Sequence, residues 1–185
     1  MKIYALRHEK RNKSPTFDTD LTQDGFNNAN ELCDVLESLN IDEIYCSPFK
    51  RIIQTIEPYL KKFNKKVNIE YSLYEYINSN EFSESDIRGI NSGMYGYEYF
   101  NLDYESFLKH NEIVYPEGKE RLNNRMFNFE KLLIDSSVNK NILIVSHMLP
   151  LNTLLKDRYE NKYPQGGISL IFEDDKKVFN KVNFV

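Results

Sequence analysis

The sequence predicts a three-layer α/β/α sandwich with a mostly parallel central sheet. Short apolar runs alternate with amphipathic stretches, which is the pattern of strands and helices in an α/β fold. The run NILIVS at 141–146 is the most apolar of these, as expected for a central strand that is covered on both faces. The chain has 185 residues, of which 41% are hydrophobic, and this is enough for one domain with a sizeable core.

The N-terminal part of the chain alternates between strands and helices, and each helix has its own start signal. Thr22 is a typical N-cap residue, and apolar side chains follow it at helical spacing. Ser47 and Pro48 are a favourable N-cap and N1 pair, so Ser47 is expected to cap a helix rather than to react. The elements predicted here are a strand at 2–6, a helix at 21–40, a strand at 41–46, a helix at 47–63 and a third strand within 66–75.

The alternation is interrupted once and then resumes. Residues 76–116 are rich in Tyr, Asn, Ser and Gly and have weak periodicity, so we expect a small lid inserted into a single domain that spans 1–185. The tyrosine-rich stretch 94–100 is expected to pack over the site. The elements predicted after this insertion are an amphipathic helix at 116–137, the strand at 141–146, a short helix at 149–159 and a terminal hairpin of 166–174 and 176–185.

Composition excludes several classes of function. The formal net charge of −4 gives no general affinity for nucleic acid. No apolar run approaches the roughly 20 residues of a membrane helix. The apolar stretch before Arg7 is also too short for a signal peptide. Cys33 and Cys46 lack a zinc or redox spacing and are predicted to be reduced thiols of the core. We therefore expect a cytoplasmic protein that binds neither nucleic acid nor membranes, while its oligomeric state stays open.

Polar side chains follow three of the predicted strands at their carboxyl ends, where open parallel sheets bind ligands. Arg7 and His8 follow the first strand, Arg51 lies one turn into the helix after the second, and His147 follows the central strand. Two guanidiniums can bind phosphoryl oxygens through bidentate, charge-assisted bonds. One histidine can attack phosphorus, and a second can stabilise the charge of the transition state. These residues predict phosphoryl chemistry at this edge of the sheet.

No metal or cofactor motif accompanies these residues. The sequence lacks H-E-x-x-H, a histidine pair at i and i+4, a P-loop and G-x-G-x-x-G. We therefore expect the reaction to need neither a metal ion nor a cofactor.

The order of the motifs resembles that of the histidine phosphatase superfamily, the family of the phosphoglycerate mutases and histidine acid phosphatases. The resemblance spans most of the chain outside 76–115, and it implies a phosphoglycerate mutase-like fold. The matching segments are Arg7-His8 after a strand, LTQDGFNNA at 21–29, SPFKRIIQT at 47–55, LYE at 73–75, PEGKERLNNR at 116–125 and VSH at 145–147.

The resemblance implies a role for each matching residue. His8 would be the nucleophile that becomes phosphohistidine, and Arg7, Arg51 and His147 would bind the phosphoryl group. Glu75 would protonate the leaving group and then activate water. Three nearby carboxylates compete for this role, namely Glu81, Glu84 and Asp86.

Departures from the family pattern favour a phosphatase over a mutase. Arg11 resembles the R-H-G-E-R pattern of the branch that includes the Sts-type tyrosine phosphatases, and it is a candidate contact for substrate or phosphate. Met148 replaces the common glycine after His147, and the chain has no tryptophan, unlike the long lid of the mutases. Glu9 replaces the family's usual glycine, and its carboxylate would repel phosphate unless Lys10 or Arg11 neutralises it or it points away.

The preferred interpretation is a metal-independent phosphomonoesterase that forms a covalent phosphohistidine. Its substrate would be a small phosphorylated metabolite or a phosphorylated protein side chain. Two alternatives stay open. One is a phosphoglycerate mutase-type phosphoryl transferase, and the other is a non-catalytic member of the fold that binds a phosphate ligand.

Overall fold

The computed structural model describes residues 1–13, 16–85, 90, 95–136, 139–156 and 158–183. In this part of the chain the strands are β1 (Lys2–Arg7), β2 (Glu43–Cys46), β3 (Asn68–Ile69), β4 (Asn141–Ser146), β5 (Ile168–Glu173) and β6 (Lys176–Asn183). The α-helices are α1 (Gln23–Ser38), α2 (Lys50–Phe63), α3 (Lys119–Ser136) and α4 (Met148–Leu154). Short 3-10 helices span Tyr71–Leu73, Tyr97–Tyr99 and His110–Glu112.

The strands form one sheet in the order β3-β2-β4-β1-β5-β6. The pairs β1–β4, β2–β4 and β2–β3 are parallel, whereas β5 is antiparallel to both β1 and β6. β4 lies between two parallel neighbours and is buried from its second residue onward. The sequence-based prediction of a mostly parallel sheet with a terminal hairpin is therefore confirmed, and so is the predicted centre of the sheet.

The two faces of the sheet are covered by different helices. Alternate residues of β1 point to opposite faces, as the pleat of a strand requires. Tyr4 and Leu6 belong to one buried cluster, which includes side chains of α1 and α2. Ile3 and Ala5 belong to a second cluster, which includes side chains of α3 and α4. The two clusters account for the three layers, because each face of the sheet buries its own pair of helices.

The two predicted helix starts have different outcomes. Thr22 is the N-cap of α1, as predicted, and its side chain accepts a hydrogen bond from the backbone of the first turn. The prediction that Ser47 and Pro48 are the N-cap and N1 residues of α2 is wrong, because the helix begins at Lys50 with Phe49 as its N-cap. The Ser47 side chain instead makes a tertiary hydrogen bond, 2.8 Å long, to Nε2 of His147.

The third strand occupies two residues of the segment 66–75, and the buried carboxylate of Glu70 explains why it ends there. Glu70 accepts hydrogen bonds from the backbone of Ser72 at 2.7 Å and of Phe107 at 2.9 Å. The hydroxyl of Tyr104 also donates to it. These bonds turn the chain into a 3-10 helix directly after β3 and fasten a later loop to the same point.

The interrupted segment 76–116 is attached to the edge of the sheet and to α2. Phe100 forms a parallel bridge with the residue before β3. The Tyr95 hydroxyl donates to Glu57 of α2. The described residues of the stretch 94–100 thus pack against α2 and the sheet edge, while its first residue lies outside the described part. That the segment acts as a lid stays a prediction.

Two compositional expectations can be compared with the structure. Cys33 and Cys46 are free and buried, which confirms that they are thiols of the core. Among the described residues, no helix combines the length and the apolar character needed to cross a membrane.

Candidate active site

The carboxyl ends of β1, β2 and β4 meet at one edge of the sheet. β1 and β4 pair in parallel with Arg7 opposite Ser146, and the backbone N–H of His8 donates to the Ser146 carbonyl at 3.1 Å. The residues that follow the two strands, His8 and His147, consequently have ring centroids 5.5 Å apart. The structure therefore brings the two strand-end histidines together.

His8 is buried, with 1% of its surface exposed, and has a defined hydrogen-bond partner. Its Nδ1 lies 2.7 Å from the backbone carbonyl oxygen of Glu9. Because a carbonyl can only accept, Nδ1 carries the hydrogen and Nε2 keeps its lone pair in the neutral ring. Burial lowers the pKa of His8 well below its ordinary value, and the charges of Arg51 and Arg7 lower it further. His8 is therefore a neutral imidazole whose Nε2 keeps an available lone pair.

The fully buried guanidinium of Arg51 and the partly buried guanidinium of Arg7 flank this ring. Nη1 of Arg7 donates to the Tyr163 carbonyl at 2.5 Å, and Nη1 of Arg51 donates to the Thr16 carbonyl at 2.9 Å. Burial lowers the pKa of Arg51 to about 9, which still leaves it charged at neutral pH. Within the described part of the chain, the buried Nε atoms of both arginines have no hydrogen-bond partner. Two charged donors are therefore available to an anionic ligand.

His147 is fully buried, and both of its ring nitrogens are engaged. Nη2 of Arg51 lies 3.2 Å from Nδ1 of His147, and Ser47 Oγ lies 2.8 Å from Nε2. A guanidinium can only donate, so Nδ1 accepts and Nε2 carries the hydrogen that is donated to Ser47. Burial lowers the pKa of His147 well below its ordinary value, and Arg51 adds to this. His147 is therefore neutral and orients Arg51.

Glu75 contributes a carboxyl group at the edge of the cluster. Its Oε2 lies 3.4 Å from Nδ1 of His147 and 3.7 Å from Nη2 of Arg51. Its side chain is 16% exposed, in contrast to those of His147 and Arg51 at 0%. Burial raises the pKa of Glu75, and the charge of Arg51 opposes that shift. Of the competing carboxylates, Glu81 and Glu84 are exposed, and Asp86 lies outside the described residues.

The structure thus brings two histidines, two arginines and a carboxyl group together at the carboxyl ends of parallel strands. The sequence profile of the histidine phosphatase superfamily (branch 1) matches residues 4–166. The chain belongs to this superfamily.

Relatives of this histidine phosphatase support the assignment. A probable phosphatase of Schizosaccharomyces pombe is 27% identical over 171 residues, covering 88% of this chain and 75% of that protein. Two solved structures share the fold. A putative α-ribazole-5'-P phosphatase from Escherichia coli has a TM-score of 0.72 and 21% identity, covering 100% of this chain and 97% of that one. A phosphoserine phosphatase from Entamoeba histolytica, solved with phosphoserine, has a TM-score of 0.65 and 18% identity, covering 96% and 94%. The family and the S. pombe relative support a phosphatase, which is the class of enzyme that the sequence predicts, and the two solved structures support the fold.

The hydrogen bonds of the Arg11 guanidinium go to its own loop rather than to the two histidines and Arg51. Nη1 of Arg11 donates to the carbonyls of Asn12 at 2.7 Å and Lys13 at 2.9 Å. Its charge nevertheless lowers the pKa of His8, so the guanidinium lies within electrostatic reach of the ring. A role for Arg11 in contacting substrate stays a prediction.

The carboxylate of Glu9 turns away from the guanidiniums and towards α1. Its Oε2 accepts hydrogen bonds from Nδ2 of Asn28 at 3.1 Å and from the backbone of Lys10 at 3.3 Å. Of the two arrangements compatible with the sequence, the structure has the one in which this charge points away from the predicted phosphate pocket.

Two supporting residues, Thr55 and Gln54, are not predicted from the sequence although they lie in a motif that it shows. The Thr55 hydroxyl accepts from the Glu9 backbone N–H at 3.0 Å and donates to the Arg51 carbonyl at 2.7 Å. Gln54 accepts from the backbone of Leu21 at 3.0 Å. Both side chains belong to the segment SPFKRIIQT, so the signal was present in the Q-T pair. The bonds to Glu9 and Leu21 could not be predicted because these residues are distant in sequence.

A buried ion pair supports the loop that carries Glu75. Nε of Arg125 donates to Oε1 of Glu117 at 2.7 Å, with side-chain exposures of 3% and 0%. Nη1 of Arg125 donates to the Ser72 carbonyl at 2.6 Å, and the guanidinium lies 3.8 Å from the ring centre of Tyr74. Because Ser72 and Tyr74 lie three residues and one residue before Glu75, the ion pair fixes the approach of Glu75 to the site.

Replacing Arg125 with leucine is expected to lower the free energy of unfolding by about 3–5 kcal/mol, because it leaves the Glu117 carboxylate buried without its counter-charge. Urea denaturation followed by circular dichroism measures this loss. The double variant Arg125→Leu/Glu117→Leu should be more stable than the single variant, since no charge is then stranded. Lys131→Leu, at an exposed position of α3, is the control and should change little. A loss no larger than that of the control would contradict the assignment.

His8, Glu75 and His147 offer one ligand atom each within 4.8 Å of one another, so the set must be compared with a metal site. Two histidines and a glutamate are the ligands of some catalytic zinc ions. Here Nδ1 of His147 already accepts from Arg51 at 3.2 Å and its Nε2 is bonded to Ser47. A cation at this position would be repelled by the guanidinium of Arg51. The site with its two arginines therefore suits an anion better than a metal ion.

Proposed function

We propose that this histidine phosphatase is a metal-independent phosphomonoesterase that forms a covalent phosphohistidine at His8. The state of the His8 ring carries the proposal. Its Nδ1–H is used by the Glu9 carbonyl at 2.7 Å, so the reactive lone pair belongs to Nε2. The ring is neutral because burial and the charges of Arg51 and Arg7 lower its pKa.

The two arginines would bind the transferred phosphoryl group. The buried Nε atoms of Arg7 and Arg51, which have no partner within the described residues, would gain acceptors in the phosphoryl oxygens. A buried donor without a partner costs free energy, so a bound phosphoryl group would supply the acceptors that these two Nε–H groups lack. His147 would keep Arg51 oriented through Nδ1 and complete the wall of the pocket.

The reaction would proceed in two displacements at phosphorus. In the first, Nε2 of His8 forms a bond to phosphorus while the bond to the leaving oxygen breaks and Glu75 gives its proton to that oxygen. In the second, the Glu75 carboxylate removes a proton from water, and the resulting oxygen attacks phosphorus. The bond to Nε2 then breaks, inorganic phosphate leaves, and Glu75 is protonated again for the next cycle.

A small phosphorylated metabolite is the proposed class of substrate. The solved relatives include proteins described by their action on phosphoserine and on α-ribazole-5'-phosphate, both of which are small phosphate monoesters. The described residues of the segment after Glu75 form mostly loops and turns, and this segment would select among such substrates. A phosphorylated protein side chain is the competing class.

Phosphate release from a panel of monoesters in the presence of EDTA tests the proposal. We expect release from at least one small metabolite and the same rate with and without the chelator, since no step uses a metal. Phosphopeptides are included to test the competing class of substrate. Conversion of 3- to 2-phosphoglycerate would indicate a mutase instead. Binding of inorganic phosphate without any turnover would indicate a non-catalytic member of the family.

A further inference from the structure

The residue that follows the proposed nucleophile has an unusual environment. Glu9 is 3% exposed, and its carboxylate accepts hydrogen bonds from Nδ2 of Asn28 at 3.1 Å and the backbone of Lys10 at 3.3 Å. The Lys10 ammonium instead lies 3.8 Å from Asp24. Burying a carboxylate against neutral donors costs free energy, so the arrangement is expected to serve a purpose.

A glycine forms the floor under this carboxylate. Gly166 has φ +69°, and a Cβ at this position would lie 2.0 Å from Oε1 of Glu9. The backbone N–H of Gly166 is shared between the carbonyls of Arg7 at 3.1 Å and His8 at 3.2 Å. The same glycine therefore contacts the Glu9 side chain and the backbone that carries His8.

The backbone of Glu9 is fixed at both ends of the residue. Its N–H donates to Oγ1 of Thr55 at 3.0 Å, and its carbonyl accepts from Nδ1 of His8 at 2.7 Å. The side chain, bonded to Asn28 and packed on Gly166, removes the remaining freedom of the residue to rotate. The carbonyl that determines the tautomer of His8 is thus oriented by contacts to three separate elements.

We propose that Glu9 is a positioning residue, whose side chain orients its own carbonyl so that His8 keeps its hydrogen on Nδ1 and presents Nε2 to phosphorus. Glu9 acts through His8 and touches no reacting atom. The inference rests on the proposed function, because it explains how that nucleophile is prepared. It assigns the role to the length and hydrogen bonds of the side chain rather than to its charge.

The tautomer of His8 gives a direct readout that does not depend on turnover. In ¹⁵N-labelled protein, two-bond correlations of the imidazole distinguish a protonated Nδ1 from a protonated Nε2. The wild type should have its hydrogen on Nδ1, whereas Glu9→Ala should show a mixture or the opposite tautomer. With the best monoester, kcat should fall by about tenfold or more and KM should change less than about twofold, since positioning and not binding is lost.

Two further substitutions separate geometry from charge. Glu9→Gln retains an oxygen acceptor at the same distance and should restore the Nδ1–H tautomer and most of kcat. Glu9→Asp keeps the charge but is one methylene shorter, so it cannot reach Asn28 and should resemble the alanine variant. The aspartate variant also serves if Glu9→Ala does not fold. Glu31 is exposed and lines the same surface cavity as Glu9 and Asn28, so Glu31→Gln is the control and should behave as wild type.

Gly166 allows an independent test by a double-mutant cycle. Gly166→Ala should lower kcat in the wild type, because the new Cβ displaces the Glu9 carboxylate. In the Glu9→Ala background the same change should cost less, so the two losses should not multiply.

The proposal is wrong if Glu9→Ala keeps both the Nδ1–H tautomer and wild-type kcat. It is also wrong if Glu9→Gln is as impaired as Glu9→Ala, since charge would then be the requirement. Failure of the proposed function looks different. A wild type that releases no phosphate, but whose His8 tautomer changes in Glu9→Ala, would support the positioning role and overturn the phosphatase assignment.

Discussion

Replacing His8 with alanine is expected to lower kcat by several orders of magnitude, on the order of 10⁴-fold or more, as removal of an enzymatic nucleophile typically does. The expectation follows from the proposed chemistry, in which the Nε2 lone pair makes the only covalent bond between protein and phosphorus. The arginines would still bind phosphate, so KM should change less than kcat. The measurement is steady-state release of phosphate from the best monoester of the panel.

Trapping of the intermediate provides the second readout for His8. Rapid quenching with a radiolabelled substrate should yield a phosphoryl group on the wild type that is stable to base and labile to acid, as expected for a phosphoramidate. The His8→Ala variant should carry no label. His110→Ala is the matched control. The His110 ring packs against Tyr71, which follows β3, with ring centroids 5.5 Å apart, and it is not one of the two histidines at the strand ends. Equal labelling of the His8 variant and the wild type would end this assignment.

The part of the fold that could be predicted from the sequence is the part encoded by local patterns. The periodicity of α1 and the apolar character of β4 gave the correct layers and the correct central strand. The ends of elements depended on distant partners. β3 is short because Glu70 accepts hydrogen bonds from Tyr104 and Phe107, more than 30 residues later in the chain. No local pattern contains that information.

The candidate site shows the same division. Arg7, His8 and His147 could be predicted to lie close together because residues after parallel strands share one edge of the sheet. Their hydrogen-bond partners could not be predicted, since Ser47 is 100 positions away from His147 and Thr55 is 46 positions from Glu9. The sequence therefore predicted which side chains meet at this edge of the sheet, whereas the tautomers of the two histidines required the three-dimensional contacts.

The pH dependence of the reaction follows from opposite shifts at two residues. Burial and two guanidiniums lower the pKa of His8, so the neutral nucleophile persists to lower pH than for a free histidine. Burial raises the pKa of Glu75, so the proton needed by the leaving group is kept to higher pH than for a free glutamate. The rate should rise with pH as His8 loses its proton and fall with pH as Glu75 loses its own. A bell-shaped profile with an optimum on the acidic side of neutral is expected.

Replacing Glu75 with glutamine should remove the general acid while keeping the size of the side chain. For an alkyl phosphate, whose alkoxide is a poor leaving group, kcat/KM should fall by about 10²–10⁴-fold. For p-nitrophenyl phosphate, whose leaving group needs little protonation, the loss should be much smaller. The alkaline limb of the pH profile should also disappear for the alkyl substrate, because the group that causes it has been removed.

The contrast between the two substrates is what assigns the role, because a merely structural effect would reduce both rates equally. Glu75 Oε2 lies 3.7 Å from Nη2 of Arg51 and 3.4 Å from Nδ1 of His147, so its replacement could also disturb the phosphate pocket. That disturbance would appear with p-nitrophenyl phosphate, which uses the same pocket. Glu81→Gln is the matched control, since Glu81 is an exposed carboxylate six residues further along. An equal loss on both substrates for Glu75→Gln, or a leaving-group dependence that appears in Glu81→Gln instead, would transfer the acid role away from Glu75.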